Sequence, residues 1–145
     1  MFSNYGNEWL EKVDRLPKLR LYRNIQRNFR TENYLCMNIP KFQRSLLAQL
    51  RCGILPIRIE TGRYRGESLD DRICIMCSLD CIENVQDHFL LHCNAYLNLR
   101  SEFFTSIDCN PTLSMSNLDC INFMLIHFSR QTAKIIHSVY VYRHL

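Results

Sequence analysis

Arg72-Ile-Cys74-Ile-Met-Cys77 and, after ten intervening residues, His88-Phe-Leu-Leu-His92-Cys93 set two cysteines in a tight turn opposite a histidine and a third cysteine on a helix start. Zinc takes such mixed sets tetrahedrally and imposes no geometry of its own. The short loop between the halves closes without strain. A set of Cys74, Cys77, His88 and Cys93 fills all four positions and leaves none for water, so the expected site is structural and not catalytic. Two neighbours compete, Cys81 four residues beyond Cys77 and His92 beside Cys93. In a regular helix His88 and His92 share a face while residues five apart do not. The pairing of His88 with Cys93 therefore requires His88 at a frayed helix start.

Outward from this stretch, the composition favours a folded helical chain. Of 145 residues only four are glycine and four proline, and 47% are apolar, which argues for packed helices and against disorder. There is no run of 18 apolar residues, and Met1 to Asn7 lack the basic and then apolar pattern of a secretory signal. The expected setting is intracellular, nuclear or cytoplasmic, with no membrane contact. In that reducing setting clustered cysteines hold metal more often than they form disulfides. The scattered Cys36, Cys52, Cys109 and Cys120 read as buried thiols.

Periodicity gives the elements. A first helix is expected over 17–30, with Pro17 in its first turn and Leu21, Ile25 and Phe29 recurring every four residues. A second spans 40–52 and stops at Gly53. The stretch 54–71, broken by Pro56, Gly62 and Gly66, reads as a loop with at most a short extended piece. A cysteine-rich turn covers 73–82, and a third helix 85–106 presents Phe89, Cys93, Tyr96, Phe103 and Phe104 along one face. Two more helices, 117–128 and 130–144, break at Ser129. The expected fold is mainly α, a small helical domain cross-linked by a zinc knuckle with little or no sheet. Its regions are an N-terminal tail (1–14), a basic helical region with an Arg-rich loop (15–72), the knuckle and its helix (73–107) and a C-terminal helical pair (108–145), all forming one compact unit.

Charge is distributed as a block. From Arg15 to Arg65 twelve Lys and Arg face two acids, Glu32 and Glu60, a balance of +10; the remaining residues have six against twelve, or −6, giving the net +4. On a 17–30 helix Arg20, Arg23, Arg27 and Arg30 would share an arc of roughly 80°. Lys41, Arg44 and Arg51 repeat those offsets on the second helix, and Arg58, Arg63, Arg65 and Arg72 surround Tyr64. Such a surface suits a phosphate backbone, with Tyr64 available to stack on a base. An ordinary solvated face interleaves both signs.

Beyond the ligands, further residues carry a resemblance: Leu46-Leu-Ala-Gln-Leu-Arg-Cys-Gly53, Ile59-Glu-Thr-Gly-Arg-Tyr64, Glu83-x4-His88 and Cys93-x2-Tyr96-x3-Arg100. Together with the Cys74-x2-Cys77 pair they resemble the zinc-binding segment C-terminal to the reverse transcriptase in LINE-type (non-LTR) retrotransposon polyproteins, over roughly Leu16 to Phe104. The resemblance implies Cys74, Cys77, His88 and Cys93 as ligands, favours Cys93 over His92 and leaves Cys81 unassigned. A polymerase's paired aspartates are missing, since Asp70-Asp71 lacks flanking strands, and the dispersed acids do not suggest a nuclease. The expected function is a non-catalytic, zinc-stabilised module that binds RNA or DNA through sequence-independent backbone contacts. The alternatives are a zinc-stabilised protein-interaction module, with apolar stripes on the last two helices, or a retroelement remnant without selected function.

Overall fold

The computed structural model describes residues 2–145. Among them are seven α-helices: α1 (Phe2–Arg15), α2 (Arg20–Ile25), α3 (Lys41–Arg51), α4 (Arg58–Tyr64), α5 (Leu97–Ser106), α6 (Asn117–His127) and α7 (Ser129–Arg143). The described residues contain no strand, and the nearest approach to sheet is one isolated antiparallel bridge, Ile73 to Ile82. The fold is mainly α, as the periodicity indicates. No helix among the described residues is long and apolar enough to cross a membrane.

α7 packs against α3, α5 and α6, α2 packs on α6, and α1 on α2. α3 begins directly after Pro40 and buries Leu46, Leu47 and Leu50. α6 is capped by the Ser116 hydroxyl, which accepts from the Asp119 N–H at 3.2 Å, and buries Cys120, Ile121, Met124 and Leu125. The break before α7 falls at Phe128 (φ −132°, ψ 45°), not at Ser129. There the Ser129 hydroxyl donates to the Leu125 carbonyl (2.7 Å) and the Thr132 hydroxyl to that of Met124 (2.9 Å). The first satisfies a carbonyl that the end of α6 leaves without a helical partner, and the second joins the Phe128 N–H (3.0 Å) on Met124 O. The apolar stripes of both helices therefore point into the core, where Ile121, Met124, Ile136 and Val139 are fully buried.

Four expectations need correction. The stretch 1–14 is no tail: from Phe2 it belongs to α1, and the Trp9 ring stands 6.1 Å from Tyr22 and 6.0 Å from Phe29. The helix expected over 17–30 ends at Ile25, after a 3₁₀ turn at Pro17–Leu19. The Gln26 side-chain amide donates to Asn28 O (2.7 Å), and Phe29 leaves the helical path to reach Trp9, a tertiary contact that overrides local periodicity. The expected loop 54–71 contains α4, in which Gly62 is buried because the side chains of Glu67 and Arg72 occupy the space of a Cβ. Of the four scattered cysteines only Cys120 is buried; Cys52 is half-buried and Cys36 and Cys109 are exposed.

Gly53 fixes the junction after α3. Its φ is +68°, a left-handed conformation that glycine adopts without steric penalty, and a Cβ there would collide with the Lys18 carbonyl oxygen. The 3₁₀ turn carrying Lys18 is thereby held against the end of α3. Gly53→Ala should destabilise the protein by more than the ~1–2 kcal/mol of left-handed strain alone, read as a lowered urea midpoint at unchanged metal content. An unchanged midpoint would contradict the close approach.

Candidate metal centre and basic surface

The candidate ligand side chains come from two short, irregular segments. The Ile73–Ile82 bridge, with the Cys74 N–H donating to Cys81 O at 2.8 Å, folds 74–81 back on itself. Asp80 sits in its turn at φ 49°, a left-handed conformation that aspartate tolerates better than most residues. The second segment is not the start of a regular helix. Residues Val85–Phe89 form a π turn, and α5 begins only at Leu97 after a 3₁₀ turn at Asn94–Tyr96. The Phe89 N–H donates to Asn84 O (2.8 Å) and the Cys93 N–H to His88 O (2.9 Å), both spanning five residues. A five-residue hydrogen-bond ring aligns positions that an α-helix would separate. This widened turn, and not simple fraying, puts His88 and Cys93 side by side.

The Sγ atoms of Cys74, Cys77 and Cys93 and a ring nitrogen of His88 lie within 4.8 Å of one another. Cys74 Sγ and Cys93 Sγ are 3.8 Å apart, and Cys77 Sγ is 3.4 Å from His88 Nε2. For a tetrahedral ion with ~2.3 Å bonds to sulfur and ~2.0 Å bonds to nitrogen, those edges are about 3.8 and 3.5 Å. The four groups can therefore hold one metal ion. Burial raises the Cys74 thiol and pushes Cys93 up to about 12, and it lowers His88. The imidazole is thus kept in its neutral, ligating form, while the buried sulfurs need a cation to become thiolates. Backbone N–H groups of Met76 and Cys77 point to Cys74 Sγ, and that of Ala95 to Cys93 Sγ. The competitors lie outside the cluster: His92 Nε2 is 2.9 Å from Asn117 Oδ1 at the start of α6, and the Cys81 thiol donates to Leu79 O.

Behind the ligands stands Glu83, whose side chain is 0% exposed. Its Oε2 accepts from the Arg58 N–H (2.7 Å), its main-chain carbonyl from Ile59 N–H (3.1 Å), and its carboxylate pairs with Arg143 of α7. Its Oε1 lies 3.8 Å from Cys74 Sγ. Arg143 also donates to the Tyr96 hydroxyl (3.3 Å). Burial works against the Arg143 charge, but the bond to Glu83, the Glu83 charge and Tyr96 together outweigh it and hold the guanidinium above its ordinary pKa. Arg100 of α5 donates to Cys93 O (2.9 Å) and Leu90 O (3.4 Å), clamping the turn that carries His92 and Cys93. Sequence reading assigned no role to Glu83, Arg100 or Arg143. Glu83 and Arg100 entered only as positions in the motifs Glu83-x4-His88 and Cys93-x2-Tyr96-x3-Arg100, and nothing in the sequence marked Arg143.

The basic residues divide into those used internally and those left over. Arg51 is buried, pairs with Glu32 and lies 4.7 Å over the Tyr34 ring, so it does not share a solvent face with Lys41 and Arg44. Arg58 pairs with Glu67, and Arg72 donates to the carbonyls of Ile59 (3.1 Å) and Glu67 (3.0 Å). Because α2 ends at Ile25, Arg27 and Arg30 leave the expected arc. Arg27 instead bonds Asp14 (2.7 Å) across to α1, and Arg23 donates to Leu16 O (2.7 Å). Lys18 (3.3 Å) and Arg63 (3.2 Å) both approach Glu60, and both stand near the ring of Tyr64, which is 74% exposed. Among the described residues no carboxylate pairs with Arg20, Arg30, Lys41, Arg44 or Arg65, all exposed except the half-buried Arg44.

Comparison with known protein families, with characterised proteins and with solved structures finds no match in any of the three. The function is therefore read from the geometry itself.

Elemental analysis should find one metal ion per chain, lost in Cys93→Ala and retained in His92→Ala and Cys81→Ala. Retention in the first, or loss in either of the others, would refute the ligand set. Glu83→Ala leaves Arg143 buried without its counter-charge and should lower stability by ~3–5 kcal/mol. The double variant Glu83→Ala/Arg143→Met should recover part of that loss, as a double-mutant cycle in urea would show.

Proposed function

We propose that this chain is a non-catalytic nucleic-acid-binding module whose fold is completed by one structural Zn²⁺ on Cys74, Cys77, His88 and Cys93. Three sulfurs and one imidazole are a donor set that zinc accepts and that harder ions such as Mg²⁺ and Ca²⁺ disfavour. With every ligand position supplied by protein, the ion's role is to hold the two irregular segments together. Its contribution to folding is on the order of 10 kcal/mol. The knuckle's resemblance to the zinc-binding segment of LINE-type retrotransposon polyproteins supports the same reading.

One observation carries the nucleic-acid half of the proposal. After the internal ion pairs of the +10 block are counted, Arg20, Arg30, Lys41, Arg44 and Arg65 still have no acidic partner among the described residues. Four of these five are arginines, whose planar fork matches two phosphate oxygens. Contacts of this kind read charge and not base sequence, so RNA and DNA are both candidates. The competing protein-interaction reading needed free apolar stripes on the last two helices, and those stripes line the core.

For about five phosphate contacts, affinity for a labelled oligonucleotide should fall ~100–500-fold between about 50 and 200 mM salt. Arg30→Ala should reduce the slope of log affinity against log salt by about one contact, whereas Arg51→Met should lower stability and leave the slope alone. Binding that is absent or independent of salt would overturn the proposal.

A further inference from the structure

Between the 3₁₀ turn that precedes α2, the end of α3 and the start of α4 lies an open cleft of about 390 Å³, within the ~300–1,000 Å³ range of small-ligand pockets. Leu21, Leu55 and Ile57, all buried, form its floor, and Leu69, 55% exposed, forms one lip. Lys18 and Arg20 stand at its rim. The rim is fixed by structure already described: Gly53 holds the Lys18 main chain against the end of α3, and Glu60 holds the Lys18 and Arg63 side chains beside Tyr64. Arg20 is exposed and has no carboxylate partner among the described residues.

An apolar floor beside Lys18, held by the Glu60 carboxylate that also lines the cleft, and Arg20, unpaired among the described residues, fits a ligand with a flat apolar face attached to negative charge. A nucleotide has that chemistry when its base is unstacked, whereas in a duplex the base faces are hidden and only phosphates are presented. Building on the nucleic-acid reading above, we propose that this cleft takes one unstacked base of a single-stranded nucleic acid. Lys18 and Arg20 hold the flanking phosphates, and Tyr64 offers its exposed ring to the neighbouring base. The chain thereby distinguishes single strands from duplexes without reading sequence.

The test places a reporter at the exposed lip. Trp9 is the single tryptophan of the chain, so the double variant Trp9→Phe/Leu69→Trp has one indole, located at the cleft. Its metal content and helical circular dichroism, measured beside wild type, establish that the fold is kept. Labelled single-stranded DNA, the same sequence as RNA, and the DNA duplex are then titrated at about 150 mM salt, where phosphate attraction is partly screened. The expected result is single-strand affinity ~5–150-fold above duplex affinity, the range that stacking of one base supplies. Quenching of the indole should accompany the single strands only. Equal affinities with an unmoved indole signal would overturn the cleft assignment and leave the cleft to an apolar protein segment, while the salt-dependent module would stand. Loss of all oligonucleotide binding would overturn both.

Discussion

A carboxylate with no solvent contact holds this molecule together. Glu83 lies between the two halves of the metal site, bonds the first N–H groups of α4 and pairs with the last residue of α7. An ionised carboxylate in such a place is tolerable only because its donors are in position before it is buried. The metal ligands, the cationic face of α4 and the C-terminal helix therefore share one electrostatic centre. A tetrahedral ion with three thiolates would add a net negative charge beside Glu83, and Arg143 and Arg100 are the buried cations placed to balance it.

The Cys/His cluster was legible in the sequence because its spacing is encoded at short range. Cys74 and Cys77 share one turn, and His88 and Cys93 another. What could not be read was how a five-residue spacing becomes a shared face, since a π turn has no compositional signature here. Further from the metal, legibility declined with the sequence separation of the partners. α4 was hidden by Gly62 and Pro56, and its leading N–H groups are satisfied by a residue 25 positions away. Arg51 looked like a surface arginine because its partner, Glu32, lies 19 residues earlier. The length of α2 was misjudged for the same reason, as Phe29 follows Trp9 and not its own helix.

The charge of the chain shows how local pattern and tertiary structure divide the work. Two acids inside a twelve-cation block suggested a bare basic face, yet the fold draws Asp14 and Glu67 from the flanks and seats Glu32 and Glu60 within it. What remains without a carboxylate among the described residues is Arg20 at the cleft, Arg30 and Arg44 near Tyr34, Lys41 at the start of α3 and Arg65 just after α4. Internal pairing thus divides the basic region, with some arginines fixed in the fold and others left without a carboxylate among the described residues.

The 60 residues separating Glu83 from Arg143 also order events in time. A ribosome adding ~5–20 residues per second needs ~3–12 s to produce the second partner after the first. Over the 50 residues from Cys93 to Arg143 all four candidate ligands already exist, but the Glu83 carboxylate beside them has no guanidinium. The nascent knuckle can gather its ligands early, yet it can close into its final, dry form only when the last helix arrives. Closure of the cluster is thereby tied to the arrival of α7.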